Sequence, residues 1–166
     1  MRNQIVLVVA ILALIATPTL AQQESGDFEL QTQGALRLVT SGDSESFGTI
    51  LFNYGRFFTQ NQQLGGAIVG SFNEDGDIKL SGGPFYRYNV PRKDGANMVP
   101  YTGASVKFGE SSFGDDISIA FEGGTRFFLN QSTAFSVGAS TEYSIDEQEF
   151  ADTIQVLFGF SYLWGR

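Results

Sequence analysis

Thr153-Ile-Gln-Val-Leu-Phe-Gly-Phe-Ser-Tyr-Leu-Trp164 carries Ile154, Val156, Phe158, Phe160, Tyr162 and Trp164 at every second position, with Gln155, Gly159 and Ser161 between them. A period of two puts the two sets on opposite faces of a β-strand. One face is bulky and apolar, and the other is small or polar. The same rhythm recurs back along the chain, and no stretch of useful length shows the 3.6-residue period of a helix.

Seven further strands follow from this pattern. Phe28 to Thr40 sets Phe28, Leu30, Leu36 and Leu38 against Glu29, Gln31, Gln33 and Arg37. Phe47 to Phe58 sets Ile50, Phe52 and Tyr54 against Thr49, Asn53 and Gly55, and Leu64 to Phe72 sets Leu64, Ile68 and Phe72 against Gly65, Ala67 and Ser71. Ile78 to Val90 sets Tyr86, Tyr88 and Val90 against Ser81, Gly83, Arg87 and Asn89. Pro84, which cannot donate to a ladder, marks a candidate bulge in that run. Val99 to Phe108 sets Ala104, Val106 and Phe108 against Tyr101, Gly103, Ser105 and Lys107. Ile117 to Leu129 sets Ile117, Ile119, Phe121, Phe127 and Leu129 against Ser118, Ala120, Glu122, Gly124 and Arg126. Thr133 to Ser144 sets Phe135, Val137, Ala139 and Tyr143 against Ser136, Gly138, Ser140 and Glu142.

Soluble sheets alternate too, so alternation alone does not decide between water and lipid. The make-up of the polar face does. A solvated face is rich in Lys, Glu and Thr, whereas here Gly, Ser and Ala dominate with a few charges, as a crowded barrel interior requires. The excess of 16 Phe and 20 Gly fits large side chains outside and small ones inside. Eight strands of about ten residues make the smallest class of membrane barrel. The fold predicted is all-β, an eight-stranded antiparallel up-and-down transmembrane barrel.

The chain start reads as a cleavable signal peptide over residues 1–21. Arg2 supplies the positive start, Ile5 to Ile15 is an unbroken apolar run, and Ala16-Thr-Pro-Thr-Leu-Ala21 ends in small residues. The run is shorter than the roughly 20 residues of a spanning helix. Residues 22–166 then form one barrel domain, reached by secretion through a periplasm.

The connectors sort charge by side. Ser41–Ser46, Asn73–Asp77, Gly109–Asp116 and Ile145–Asp152 hold twelve of the 18 acidic residues and no Lys or Arg, while the alternate connectors hold only Arg92, Lys93 and Asp94. In an up-and-down barrel alternate connectors share a rim, so one rim is strongly acidic. With both termini in the periplasm, that rim is extracellular.

At this point the chain resembles the small outer-membrane β-barrel proteins of Gram-negative bacteria, of the porin-family and opacity type. The resemblance rests on Gly82-Gly-Pro-Phe-Tyr-Arg-Tyr88, Val99-Pro-Tyr-Thr-Gly-Ala104, Gly123-Gly-Thr-Arg-Phe-Phe-Leu129 followed by Ala134-Phe-Ser-Val-Gly138, and the aromatic last strand. It implies outer-membrane lipid and lipopolysaccharide as surroundings and the barrel-insertion machinery as a partner during biogenesis. That machinery usually reads a terminal aromatic; here Trp164 is followed by Gly165 and Arg166.

Composition narrows function. The charge of −8 argues against nucleic acid. The absence of Cys argues against a disulfide-stapled extracellular module. There is no His, and the enzymes known among small outer-membrane barrels use one for proton transfer near neutral pH. No catalytic residue, metal site or cofactor is predicted. Asn73-Glu-Asp-Gly-Asp77 resembles part of a calcium loop, but a hairpin turn explains the Asp-Gly pair more simply.

The residues singled out are therefore charges of inward parity: Glu29, Arg37, Lys79, Arg87, Lys107, Glu122, Arg126 and Glu142. Two ion-paired clusters are predicted, the more definite being Glu122 with Arg126 and Arg87, with a structural plug or an ion gate as alternative roles. Tyr54, Phe57, Tyr86, Tyr88, Tyr143, Tyr162 and Trp164 are read as membrane-interface aromatics. The functional expectation is a non-enzymatic, monomeric outer-membrane barrel with a structural or surface role. A narrow passive pore is the alternative, and a soluble exported ligand-binding barrel resembling lipocalins is a second one.

Overall fold

The computed structural model describes residues 23–39, 48–72, 77–91, 97–109, 117–145, 148–151 and 153–165. The expected signal peptide and most of the acidic connectors lie outside the described residues. Eight long strands alternate in direction: β1 Phe28–Val39, β2 Gly48–Phe57, β3 Gln62–Phe72, β4 Ile78–Asn89, β5 Met98–Gly109, β6 Ser118–Phe128, β7 Thr133–Ser144 and β9 Thr153–Trp164. A two-residue strand, β8 Glu149–Phe150, precedes the last. Each long strand pairs antiparallel with its chain neighbour, and β1 pairs with β9 from Phe28↔Trp164 to Val39↔Thr153. The sheet therefore closes on itself, and no long strand is left with an open edge. The strand ends flanking the four acidic connectors all lie at the rim opposite the chain termini.

Burial is inverted relative to a water-soluble protein. Glu29, Gln31, Gln33, Gln63, Arg87, Asn89 and Arg126 are all within 1% of complete burial, while Ile68, Leu80 and Ile78 stand 62–69% exposed on the outer face. Polar residues are normally outside and large aliphatic ones inside because water rewards that arrangement. A continuous outer belt of Leu, Ile and Phe is stable only against an apolar medium, and closure leaves the described long strands no open edge to solvate.

The interior is also apolar at one level. Phe57, Val99, Phe128, Ala134 and Leu163 form a buried cluster at the rim that carries the termini. Gly26 N–H donates to the Phe57 carbonyl and Phe57 N–H donates to that of Asp27, so the segment before β1 is tied under this floor. Phe57 is therefore not an interface aromatic. Inward parity runs Asn53, Gly55, Phe57 along β2, and Phe57 is completely buried.

Two other expectations are corrected by the register. Gly82↔Phe108 and Phe85↔Ser105 belong to one uninterrupted register, and Pro84 still faces Gly66 on β3. There is thus no bulge at Pro84; the ladder to β5 only lacks its rungs at Gly83 and Pro84. The irregularity lies instead in the expected connector Ile145–Asp152. There β8 pairs Tyr143↔Phe150 and Ser144↔Glu149, two residues out of step with Ser140↔Gln155. Just ahead of β8, Gln148 takes a left-handed turn with φ of 57°.

Phe57→Lys tests the position of the floor. At a membrane interface lysine snorkels and is accommodated. In the buried floor an unpaired ammonium prevents folding. The expected outcome is loss of the compact, faster-migrating band in unboiled gel samples, while Phe57→Ala folds but loses roughly 3–5 kcal/mol in urea titration.

Candidate functional site

The inward charges meet because glycines stand between them. Gly103 on β5 has Arg87 of β4 as one cross-strand partner and Glu122 of β6 as the other. With no side chain at 103 the two reach each other across a whole strand. A Cβ placed there would lie 2.9 Å from Glu122 Oε1. Arg87 Nη2 sits 2.7 Å from Glu122 Oε1, and Arg87 Nε donates to the same oxygen at 2.7 Å. Gly55 acts in the same way between β1 and β3, where Gln63 Nε2 donates to Glu29 Oε2 at 2.7 Å.

Glu29 is the hub of this lower network. Its Oε2 lies 3.0 Å from Arg126 Nη2 and 3.9 Å from Arg87 Nη1. Gln63 Oε1 accepts from both arginines, at 3.3 Å from Arg87 and 3.5 Å from Arg126. Tyr101 fills the remaining space: the two guanidinium carbons stand 5.0 Å and 5.4 Å from its ring centre, and Arg87 also faces the Phe85 ring at 5.2 Å. Such cation–ring contacts strengthen when water is excluded. The phenol reaches over Gly124 and Gly138, where a Cβ would come within 2.9 Å and 2.8 Å of Tyr101 Oη. Two arginines and two glutamates make the network neutral as a whole, which is what burial demands.

A second pair lies nearer the opposite rim. Lys107 Nζ is 2.9 Å from Glu142 Oε2, and the Ser118 hydroxyl donates to Glu142 Oε1. Here too the partners, on β5 and β7, skip a strand whose inward residues are small, Ser118 and Ala120. Uncharged amides lie beside the lower network: Asn53 Nδ2 donates to Gln31 Oε1 at 3.2 Å and to Gln33 Oε1 at 3.0 Å, and Gln31 Nε2 donates to Ser136 Oγ at 3.1 Å.

The structure thus gathers Glu29, Arg87, Glu122 and Arg126 in one network and Lys107 with Glu142 in another. The membership differs from the sequence expectation in one respect: the carboxylate against Arg126 is that of Glu29, and Glu122 is held by Arg87. Lys79 forms no ion pair among the described residues, and the Arg37 side chain and residues 73–76 of the calcium-like run lie outside them. Tyr101 and Gln63 were missed as members. Inward parity beside Gly103 was the available signal for Tyr101.

The aromatics divide between the rims. Phe28, Tyr54 and Trp164 cluster with centroids 6.0–6.1 Å apart, Phe28 stacking on both, and Tyr162 lies 5.9 Å from Trp164, all at the termini end. Tyr86 stands at the same end, 6.4 Å from Phe58, and Tyr88 pairs across from Gln62. Tyr143 is at the far rim, 5.0 Å from Phe150, which also meets Phe121 at 6.4 Å.

No protein-family model matches the sequence, and no curated protein matches it. The fold does match solved structures. The N-terminal β-barrel domain of Pseudomonas aeruginosa OprF aligns with a TM-score of 0.64 at 11% identity, over 86% of this chain and 100% of that one. Neisserial surface protein A aligns at 0.60 and 11% identity, over 82% and 95%. The outer membrane protein OprG from P. aeruginosa aligns at 0.55 and 12%, over 89% and 100%. The fold is that of the small eight-stranded outer-membrane β-barrels.

Removing Glu29 strands Arg126, which has no other carboxylate within ion-pair reach among the described residues, and leaves Arg87 only Glu122, whereas removing Glu122 leaves Arg87 with Glu29 and Gln63. Glu29→Gln is expected to cost about 3–5 kcal/mol of unfolding free energy, the scale for breaking a buried pair. Glu122→Gln, whose carboxylate is 16% exposed, is expected to cost distinctly less. Urea titrations of protein folded in phospholipid vesicles measure both, and equal losses would refute the hub role of Glu29.

Proposed function

We propose that this chain is a monomeric outer-membrane barrel that serves as a structural or surface element, without enzymatic activity and with a lumen closed by its own side chains. The observation that carries the reading is the inversion of burial: an apolar belt outside, and inside it a neutral network of Glu29, Arg87, Glu122 and Arg126. A lipocalin-like carrier needs the opposite, an apolar calyx within a solvated exterior.

Closure is supported at two levels. The floor of Phe57, Val99, Phe128, Ala134 and Leu163 seals the termini end, and the charge network fills the section above it. The lack of His removes the usual proton carrier of barrel hydrolases. Lipid, lipopolysaccharide and the insertion machinery are the partners this reading requires.

The pore reading has one observation in its favour. A cavity of about 30 Å³, enough for a water molecule, lies between the two charge clusters and is bordered by Lys107, Glu122, Asn53, Ser105 and Ser140. It is also walled by Leu51, Val69, Phe85 and Leu157, and an apolar collar resists hydration.

Planar-bilayer recording decides between the two. Purified wild-type protein, first verified as folded by its shift between boiled and unboiled gel samples, is expected to give no unitary current. A steady ohmic step would favour the pore. Fractionation of expressing cells is expected to recover the protein in washed outer membranes and not in the soluble periplasm.

A further inference from the structure

Among the described strand residues of outward parity, Arg56 is the one charged side chain. Every other outward position on the eight long strands is apolar, aromatic, small or uncharged. Arg56 is exposed on β2 near the termini rim, with Phe28 and Leu64 as its cross-strand partners. Its guanidinium carbon stands 5.4 Å from the Phe28 ring centre, and no described carboxylate lies within 4 Å of it. A charge at the edge of an apolar belt is costly unless something of opposite sign meets it.

Directly up the wall from Arg56 the outer surface is hollowed. Leu30, Phe52, Tyr54 and Ile68 wall an outward groove of about 430 Å³ with Gly66 at its floor. Tyr54↔Gly66 is the next outward pair after Arg56↔Leu64, so the groove begins one residue pair above the guanidinium. A Cβ built on Gly66 meets nothing within 4 Å. The hollow is therefore open space.

We infer that Arg56 and this groove form a seat for one anionic phospholipid of the leaflet on the termini side. Arg56 pairs with the headgroup phosphate and one acyl chain lies over Gly66. The guanidinium fork suits a phosphate, and the apolar walls suit a chain lying along the strands. The charge selects an anionic lipid as occupant, since a second copy of the same face would bring Arg56 against another apolar wall or another arginine. The inference rests on the outer-membrane reading above.

The chain's one Trp reports on the site, because the Trp164 ring stands 6.1 Å from those of both Tyr54 and Phe28. The full chain is folded into phosphatidylcholine vesicles containing graded fractions of phosphatidylglycerol with brominated chains, and in parallel of phosphatidylcholine with the same chains. Trp164 quenching is expected to favour the brominated anionic lipid by about fivefold at matched fraction, the factor one arginine near an anionic surface carries. Arg56→Gln should bring the two lipids to parity. Gly66→Leu, which fills the hollow without a backbone clash, should lower the preference with Arg56 intact. Parental behaviour in either variant overturns the seat. So does weak quenching by both lipids in the parent that rises in Gly66→Leu, which would mean that a second copy covers the groove. Failure of the wild type to float with vesicles or to show heat-modifiable migration overturns the membrane reading itself, and is thereby distinguishable.

Discussion

A charged side chain buried inside a narrow barrel must find its opposite there, and this constraint organises the molecule. Glu29 answers Arg126 directly and Arg87 at longer range; Arg87 in turn holds Glu122. None of the four could be buried alone. The penalty for an isolated buried ion is several kcal/mol even after relaxation. Their mutual neutralisation lets the barrel close around a polar filling. Once closed, the same ring of strands turns outward an almost wholly greasy face, and hydrocarbon becomes the medium in which that belt is stable.

Reaching a partner inside the tube is a geometric problem, and the small residues solve it. Adjacent strands stand about 4.8 Å apart, so side chains two strands apart meet only if the intervening position is empty. Gly103, Gly55 and the Ser118–Ala120 pair create those vacancies. The many glycines of this chain are therefore as much a part of the polar network as its charges.

Most of the fold was legible in the chain. The period of two placed each long strand within two residues of its observed ends, and it sorted inward from outward residues correctly at Glu29, Gln31, Gln33, Arg87, Glu122 and Arg126. Which charges would meet was less legible. Parity names the face, but which residues of different strands meet across the lumen depends on register, and register is set by connectors whose geometry the alternation does not encode. That is why Arg126 was matched with Glu122 and not with Glu29. Phe57 departs for another reason: an aromatic at a strand end suggests a membrane interface, whereas parity runs Asn53, Gly55 and Phe57 unbroken along the inner face. The offset between β8 and β9 had no signature in the period, because its residues sit in a stretch that reads as loop.

The way the cylinder is joined carries a consequence for its making. Every pairing but one links strands adjacent in the chain, apart from the small β8 patch, so the sheet can grow hairpin by hairpin as local units. The join of β1 to β9 is different: it spans twelve residue pairs and unites the first described strand with the last. Until the last strand is available, β1 presents a bare row of donors and acceptors on one border and β7 presents another. Such borders capture foreign strands. Joining β1 to the last strand removes both borders at once.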